Sequence, residues 1–341
     1  MRILLIGGTG LISSQVSDLA LAEGHDVTLV NRGRSLLPSA QGAHIIHADA
    51  TDPESLRAAL RGPRLRGERF DAVVQFVAYE PHQVLDDIET FRRLTDRYVL
   101  IATAAAYRKY DHLRPLTEDV PLENPYWEYA RKKIACEEAL RTSSDIPWTI
   151  IRPAHTYGAS KIPGFTGVSR HPWTLVDRMR RGADIILPGD GTSLWTITHA
   201  RDVAAGIVGL LSTPDAVGHA VHVTGSEALT WRGIHEAIGK AAGVPVEQLR
   251  EQFVCVPSDA LVGAAPSQAG SIYGDKMHPA VYDTSKLRAL VPAWEQRVPF
   301  ADGVAEAVAF FEAHAELRTI DDDANAMFDA LGARYRAALH A

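Results

Sequence analysis

A tyrosine and a lysine four residues apart are the side chains best suited to chemistry in this chain. Tyr129 and Lys133 belong to the run Tyr129-Ala-Arg-Lys-Lys133, and on a helix this spacing places both residues on one face. A phenol has an unperturbed pKa of about 10, so acid–base work near neutral pH needs a shift of roughly 3 units, or about 4 kcal/mol. An ammonium about 4 Å away, at an effective dielectric constant of about 20, supplies that much. The pair is predicted to be a general acid/base and the cation that tunes it, although the spacing is also common on helix surfaces.

A glycine-rich turn near the start of the chain indicates the kind of cofactor that would bind beside such a tyrosine. The apolar run Arg2–Ile6 breaks directly into Gly7-Gly-Thr-Gly10, and a helix and a second apolar strand are predicted to follow. Glycines allow backbone angles and close approaches that a Cβ would block, so the first helical N–H groups can face a pyrophosphate. The residues predicted to bind a dinucleotide here are Gly7, Thr9, Gly10, Leu11 and Ile12. Ser13 stands where a third glycine often lies, and serine is small enough to keep the packing of helix on strand.

The end of the second strand bears on the choice between NAD and NADP. An acidic residue there would bind the adenosine ribose hydroxyls of NAD. Asn31 takes that position, and Arg32 and Arg34 follow it, where they can pair with a 2′-phosphate. NADP is therefore slightly favoured, and two solvated arginines beside an NAD site remain the alternative.

Composition limits the possible partners and location. The chain has 341 residues, 46% of them hydrophobic and 23% charged, and a formal net charge of −7. It shows no basic run, so nucleic acid is an unlikely partner, and no apolar span of about 20 residues, so no membrane is expected. Two cysteines, Cys136 and Cys255, make no disulfide framework, which favours the cytoplasm. The histidine pairs His44/His47 and His219/His222 would alternate between strand faces, so no metal site is expected.

Alternating strands and helices through about residue 190 predict an α/β protein built on a doubly wound parallel sheet, the Rossmann arrangement. The predicted strands are Arg2–Ile6, Asp26–Val30, His44–His47, Asp71–Val77, Tyr98–Ala102, Trp148–Ile151, Ile185–Leu187 and Ala220–Thr224. The predicted helices are Leu11–Ala22, Pro53–Leu60, His82–Thr95, Tyr126–Arg141, Ala200–Leu211, Trp231–Ala242, Ala301–His314 and Asp321–Leu339. Thr103 then follows the fifth strand, at the sheet edge where ligands of such folds bind.

The expected organisation has three parts. Residues 1–154 form the NAD(P)-binding domain. Residues 155–315 form a smaller, mainly substrate-binding α/β portion, with about 191–212 returning to the Rossmann core. Residues 316–341 form a C-terminal helix, whose apolar positions indicate packing or a subunit contact.

The ordered set of motifs resembles the extended short-chain dehydrogenase/reductases of the NAD-dependent epimerase/dehydratase family over nearly the whole chain. The matching stretches are Gly7-Gly-Thr-Gly10, Asp49, Asp71-Ala-Val-Val, 98–107, Tyr129 with Lys133, 151–158, Leu187-Pro-Gly-Asp-Gly191, His199-Ala-Arg-Asp-Val203 and Tyr282-Asp-Thr-Ser-Lys286. Two stretches, 102–109 and 191–195, also resemble a bacterial branch related to the chloroplast stem-loop RNA-binding proteins.

The resemblance implies roles for individual residues. Thr103 would hold the substrate hydroxyl, Tyr129 would be the general acid/base, and Lys133 would bind the nicotinamide ribose and lower the pKa of the tyrosine, with help from an oxidised nicotinamide. Asp49 would meet the adenine edge, and Val77 and Ala78 would line the cofactor. A homodimer through the helices beside Tyr129 is the family expectation.

Departures from the family pattern concern the substrate. Ala104 and Ala105 follow Thr103 where sugar-nucleotide dehydratases carry an acid and a base, so dehydration is disfavoured. Trp195 stands where an arginine usually clamps the substrate diphosphate, and His155 stands where an asparagine often contacts substrate; both are candidate substrate residues. So is Tyr79, which directly follows the fourth strand. Further polar residues can line the cleft with less support: Glu80, Lys161, His171, Arg178 and His199, of which Lys161 and Arg178 are candidates to replace the missing clamp.

The sequence therefore predicts an NAD(P)-dependent enzyme that acts on a secondary hydroxyl of a sugar, nucleoside or sugar-nucleotide through a transient ketone. Epimerisation is the leading hypothesis. A simple dehydrogenase or reductase with exchangeable NADP is the first alternative, and an RNA-binding protein on the same fold is the second.

Overall fold

The computed structural model describes residues 1–33, 41–61, 69–111, 115–143, 145–165 and 170–339. Its strands are β1 Arg2–Ile6, β2 Asp26–Asn31, β3 His44–His47, β4 Ala72–Gln75, β5 Tyr98–Ile101, β6 Trp148–Pro153, β7 His155–Tyr157, β8 Ile185–Pro188, β9 Leu194–His199, β10 Ala220–Val223, β11 Ala228–Thr230 and β12 Phe253–Val256. Its α-helices are α1 Leu11–Ala22, α2 Pro53–Leu60, α3 Pro81–Phe91, α4 Glu128–Arg141, α5 Trp173–Arg180, α6 Ala200–Leu211, α7 Trp231–Ala241, α8 Val246–Gln252, α9 Ser258–Ala264, α10 Ala269–Ser271, α11 Ser285–Leu290, α12 Phe300–Ala313 and α13 Asp322–Leu339.

A parallel sheet forms the centre of the described structure. Its seven strands run in the order β10-β6-β5-β4-β1-β2-β3, and every neighbouring pair is parallel. In β1, Ile3 and Leu5 face one apolar core, and Leu4 and Ile6 face the other, because successive strand side chains point to opposite faces. Both faces must then be covered by helices, and this confirms the predicted doubly wound sheet.

Helices from different parts of the chain cover the two faces. On one face, Val16 and Ala20 of α1 pack with Val203 and Ile207 of α6. On the other face, apolar residues of α2, α3 and α4 form the second core, among them Leu56, Val84, Ile88 and Leu140. The long helix α4, which carries Tyr129 and Lys133, is thereby held against the sheet beside β5.

A third core supports the later part of the chain. It gathers aromatic residues of β9, α7 and α12, including Trp195, Trp231 and Phe300. The predicted strand at 185–187 is present as β8, but it pairs with β12 and lies outside the central sheet. β10 does lie in the central sheet, where it pairs with β6.

Two helices beside the cleft are shorter than the sequence predicts. α3 spans Pro81–Phe91 instead of His82–Thr95, because Pro81 suits the first helical position and the chain turns after Phe91, whose carbonyl accepts from both Leu94 and Thr95 N–H. α4 begins at Glu128 instead of Tyr126, because the Asn124 side-chain oxygen accepts from the N–H groups of Tyr126 and Trp127 and holds them in a turn.

The C-terminal helix packs on its own chain. Ala324, Phe328 and Leu331 of α13 are buried in the third core. Ile320, an apolar residue that precedes this helix, is exposed. No helix in the described residues is both long enough and apolar enough to span a bilayer.

Candidate active site

The glycine turn is a tight cradle. Gly7 has φ +88°, and a Cβ added there would lie 2.5 Å from Cγ1 of Val77. A Cβ on Gly8 would lie 2.8 Å from the Leu29 side chain. The buried Ser13 hydroxyl donates to the Gly7 carbonyl at 2.7 Å and accepts from the Gly10 N–H at 2.8 Å. Ser13 therefore fixes the shape of the turn in addition to permitting close packing.

One cleft lies outside the carboxyl ends of the central strands, with a volume of about 500 Å³. We call one side of it the strand-end wall: Gly7, Gly10, Leu11, Ile12, Ser13, Val77, Tyr79, Thr103, Tyr129 and Lys133. We call the other side the far end: Lys109, His155, Lys161, Trp195, Asp275 and Tyr282. The structure thus brings the predicted catalytic residues and the glycine turn into one cavity, together with the candidate substrate residues Tyr79, His155 and Trp195.

Thr103 and Tyr129 meet on the strand-end wall. The Thr103 hydroxyl accepts from the Ala105 N–H at 3.2 Å, which sets its orientation at the end of β5. The same hydroxyl lies near the Tyr129 phenol and favours its ionised form, which lowers the pKa of the phenol. Burial has the larger effect and raises the pKa of Tyr129 to about 12. The direction is opposite to the predicted lowering, because desolvation of the phenolate outweighs the favourable contacts that the protein itself provides.

Lys133 joins two strand ends and faces the same cavity. Its ammonium donates to the carbonyl oxygens of Ala78, at 2.7 Å, and Ile101, at 2.9 Å. It also lies 4.6 Å from the ring centroid of Tyr79, within range of a cation–π contact. Burial lowers its pKa to about 8. An ammonium has three N–H donors, so two carbonyl bonds leave one for a ligand.

The residues predicted to contact the adenosine do not line this cleft. They lie at the ends of β2 and β3. Asn31 is buried, and its side-chain oxygen accepts from the Gly33 N–H at 2.9 Å. Arg32 is exposed. The Asp49 carboxylate accepts from the N–H and hydroxyl of Thr51. Arg34 lies outside the described residues.

The far end is assembled from segments distant in sequence. Lys109 and Asp275 form a buried ion pair, and the Lys109 ammonium lies 5.4 Å from the Trp195 ring centroid. His155 and Trp195 meet edge to face with their ring centroids 5.9 Å apart. Trp195 itself is 1% exposed and packs on the equally buried Trp231. The indole is therefore both a packed side chain and a wall of the cleft.

Several of the less supported candidates lie elsewhere. Arg178 is fully buried between α5 and α13, where it donates to the Asp184 carbonyl and pairs with Asp329 at 2.7 Å, so it does not replace the missing clamp. Glu80 pairs with Lys132 at 2.6 Å, and His171 contacts Thr319.

His199 has a structural position: its Nδ1 accepts from the Arg201 N–H and caps α6. Lys161 does line the cleft, where the turn formed by Gly158 and Lys161 holds it. Of the two residues considered as replacements for the clamp, the structure brings only Lys161 into the cavity.

Lys109, Asp275 and Tyr282 were not predicted as site residues. Lys109 and Tyr282 stand at the ends of motifs that the family resemblance uses, which is the signal that could have found them. Asp275 follows an irregular stretch and lies in a short π-helical turn, Ile272–Lys276, a geometry that often occurs at functional sites. No local pattern connects it to Lys109, 166 residues earlier.

The residues present fit a dinucleotide. The cradle at Gly7 has no room for a side chain, the N-terminus of α1 lines the cleft, and the first turn of that helix contains no acidic residue that would repel a pyrophosphate. The parallel sheet, the glycine turn and the tyrosine–lysine pair together define a Rossmann-type dinucleotide-binding enzyme.

Comparison with known proteins gives the family. The model of the NAD dependent epimerase/dehydratase family matches residues 3–224, about two thirds of the chain. The chain therefore belongs to this family, and it is an enzyme of the extended short-chain dehydrogenase/reductase type.

Its relatives have diverse names. The chain is 28% identical over 257 residues to a chloroplast stem-loop binding protein of Arabidopsis thaliana, covering 73% of this chain and 65% of that protein, slightly less than two thirds of its length. It is 26% identical to a 2′-dehydrokanamycin reductase of Streptomyces kanamyceticus, covering 87% and 81% of the two chains. It is 27% identical to a UDP-glucose 4-epimerase of Mycolicibacterium smegmatis, covering 91% and 98%.

Solved structures show the same fold. An epimerase of Methanothermobacter thermautotrophicus superposes with a TM-score of 0.73 at 17% identity, covering 93% of this chain and 94% of that chain. At this identity the likeness concerns the fold alone.

Proposed function

We propose that this enzyme uses NAD or NADP to oxidise a secondary hydroxyl of a sugar, nucleoside or sugar-nucleotide, and that the resulting ketone turns before the same hydride returns to its opposite face, so that the net reaction is an epimerisation. The observation that carries the proposal is the shared cavity: the glycine cradle, Thr103, Tyr129 and Lys133 all line it. Oxidation of an alcohol requires a proton and a hydride to leave together, and the proximity of Tyr129 to the glycine turn in this cavity supports a role for Tyr129 as the proton acceptor beside a bound dinucleotide.

Side chains of the protein itself would accept the proton and return it. Thr103 would hold the substrate hydroxyl, and the Tyr129 phenolate would accept its proton; on the return step the phenol gives the proton back. When bound, the nicotinamide supplies the hydride acceptor and a positive ring. That positive charge would oppose the burial that holds the pKa of Tyr129 at about 12. Lys133 would donate its remaining N–H to the nicotinamide ribose.

The residues after Thr103 support epimerisation over dehydration. Ala104 and Ala105 are buried in a short 3₁₀ turn. Loss of water from a sugar needs an acid and a base beside the reacting carbons. Methyl groups at these two positions supply neither.

A simple reductase is the second candidate, because a relative of similar identity is named a reductase. The two reactions use the same residues and differ in whether the cofactor leaves between turnovers. The relative named for stem-loop binding keeps RNA binding as a third candidate. Tight, saturable binding of structured RNA in a filter assay at physiological salt would favour that reading.

The cofactor preference, assembly and location belong to the same proposal. We infer a slight preference for NADP from Arg32, which is exposed at the end of β2, and from Arg34 beside it in sequence. A homodimer through the helices beside Tyr129 is proposed on family grounds, and light scattering tests it. A cytoplasmic location is proposed because both cysteines are free thiols.

The nucleotide carried by the purified protein tests the main proposal. It would be released by acid precipitation and identified by chromatography with mass detection. Near-stoichiometric NAD or NADP supports an enzyme that recycles its cofactor within each turnover. Protein that is empty and binds added NADP reversibly would contradict epimerisation and favour the reductase.

A further inference from the structure

The far end of the cleft has more positive than negative side chains. Lys109, Lys161 and Lys276 all lie close enough to His155 to lower the pKa of that imidazole. Asp275 is the acidic residue at this end, and it is engaged by Lys109 in the buried ion pair. Among the described residues, neither Lys161 nor Lys276 forms a salt bridge.

Lys161 and Lys276 are both half-buried cations, and Lys161 lines the cleft. The Lys276 ammonium donates to the Phe165 carbonyl, and burial lowers its pKa to about 8. The nearby Asp275 carboxylate opposes that lowering of the pKa and the Lys161 ammonium adds to it, so both charges lie near Lys276. Burial also lowers the pKa of Lys161, and in the described part of the chain no acceptor contacts its ammonium. A half-buried ammonium without an acceptor carries part of the desolvation cost, and an anionic ligand in the cleft beside Lys161 would offset it.

Two neutral N–H donors beside the cavity also lack an acceptor. Nε2 of His155 and Nε1 of Trp195 are buried, and neither has a hydrogen-bond partner in the described residues. The lowered pKa of His155 keeps the ring neutral near pH 7, so it can carry its single proton on Nε2. Buried polar groups in native structures are nearly always paired, so unpaired donors beside a cavity indicate a ligand acceptor.

The same residues also limit the size of the ligand. Trp195 takes the position of the family's diphosphate-clamping arginine, and Trp231 packs behind it with ring centroids 5.1 Å apart. Phe165 in turn packs edge to face on Trp231 at 5.0 Å. Two further aromatic side chains therefore back the Trp195 wall, and the cavity does not extend past this indole.

We propose that the substrate is a compact polyol that carries one anionic group, a phosphate monoester or a carboxylate, held at the far end by Lys161 with the Trp195 and His155 N–H groups as further donors. The proposal rests on the proposed function for the reacting hydroxyl, which would lie at Thr103 and Tyr129. It replaces the nucleotide half of a sugar-nucleotide with a single charged group.

Calorimetric titration tests this without turnover. The probes are glucose 6-phosphate, glucuronate, glucose and UDP, each added to the wild-type protein with its dinucleotide present. One of the two charged monosaccharides should bind at least tenfold more tightly than glucose, and which one does so distinguishes phosphate from carboxylate. Lys161→Gln should weaken that binding about tenfold or more, and Lys161→Arg should restore most of it.

Lys132→Gln is the matched control, because Lys132 is a more exposed lysine that pairs with Glu80 and Glu128. This variant should bind as the wild type does. The proposal is overturned if glucose binds as well as both charged sugars, if none of the sugars binds, if UDP binds more tightly than either charged sugar, or if Lys161→Gln changes nothing. Failure of the redox proposal would appear separately, as normal anion binding without any hydride transfer.

Discussion

Lys133 on the strand-end wall and Lys161 at the far end are held in opposite ways. On the strand-end wall, the Lys133 ammonium has two carbonyl acceptors and an aromatic ring within 4.6 Å. At the far end, no acceptor within the described residues contacts Lys161. Burial lowers the pKa of both groups. The difference is that the protein itself satisfies most of the bonding capacity of one lysine and leaves that of the other to a ligand.

This difference indicates separate roles for the two sides of the cleft. On the strand-end wall the protein itself satisfies two of the three Lys133 donors, so this side suits a cofactor and a reaction that many family members share. The far end is incomplete without a partner, so it suits discrimination between substrates. Changes on the first side should therefore alter cofactor binding or the hydride step, and changes on the second should alter substrate binding alone.

The largest expected effect is that of Tyr129→Phe. Removing the phenol oxygen removes the proton acceptor, and turnover should fall by roughly a thousandfold, within the usual contribution of general acid–base catalysis. Dinucleotide affinity should stay within about twofold of wild type, measured by titration. A variant that keeps near-normal activity would show that another group moves the proton.

The next effect is that of Gly7→Ala on the cradle. The added Cβ would meet Val77 at 2.5 Å in a backbone conformation that disfavours side chains, so dinucleotide binding should weaken by about 10–100-fold. Gly24→Ala is the matched control, because Gly24 has a similar φ of +79° with no atom within 4 Å. It should cost about 1–2 kcal/mol of unfolding free energy and leave dinucleotide binding unchanged. Equal binding defects in both variants would assign the effect to backbone strain instead.

The pH dependence of stability tests the state of Lys133. Its folded pKa of about 8 lies below the reference value of 10.5, so below pH 8 the ammonium is charged in both states and the burial penalty is complete. Between pH 8 and 10.5 the folded protein loses this proton first, and the penalty fades. Relative to Lys133→Met, the wild type should gain about 2 kcal/mol of unfolding free energy from pH 7.5 to 10, measured by urea denaturation.

The neighbouring Lys132→Met variant is the control for that measurement. Glu80 and Glu128 raise the pKa of Lys132, so its removal should produce no such gain over the same range. A flat difference between wild type and Lys133→Met would show that the two carbonyl acceptors keep the ammonium charged throughout.

The smallest expected effect concerns the cofactor. Arg32→Ala should weaken NADP binding by about threefold to fivefold and leave NAD binding unchanged, because an exposed arginine gains little from a charged partner. Arg92→Ala, at another exposed arginine, should change neither. If Arg32→Ala weakens both cofactors equally, the arginine does not read the 2′-phosphate.

The arrangement of the strand-end wall could be predicted from the sequence because the residues that define it lie close together along the chain. Gly7–Gly10 lie in one turn, and Tyr129 and Lys133 lie on one helical face, so spacing alone predicts their geometry. The central sheet was predicted from the alternation of buried strands with amphipathic helices. The helix starts at Pro81 and Glu128 were missed by one or two residues because side-chain capping and turn contacts decide them.

Three of the six far-end residues, Lys109, Asp275 and Tyr282, were not predicted from the sequence, for the opposite reason. Lys109 and Asp275 meet only through the packing of segments 166 residues apart. The placement of Arg178 between α5 and α13 likewise depends on where the C-terminal helix docks. The pKa of Tyr129 rose where a lowering was predicted, because spacing reveals a neighbouring charge but not the depth of burial.

The bonds from Lys133 to Ala78 and Ile101 have a calorimetric consequence. They fix the distance between the end of β5 and the segment that follows β4, so the opening of the proposed nicotinamide site keeps its width before any ligand binds. Cofactor binding then orders little additional chain, and its heat-capacity change should match the apolar area covered by the cofactor, without the larger value that accompanies coupled folding. Because the Lys133 side chain fixes this distance in the free protein, cofactor binding should cost less conformational entropy.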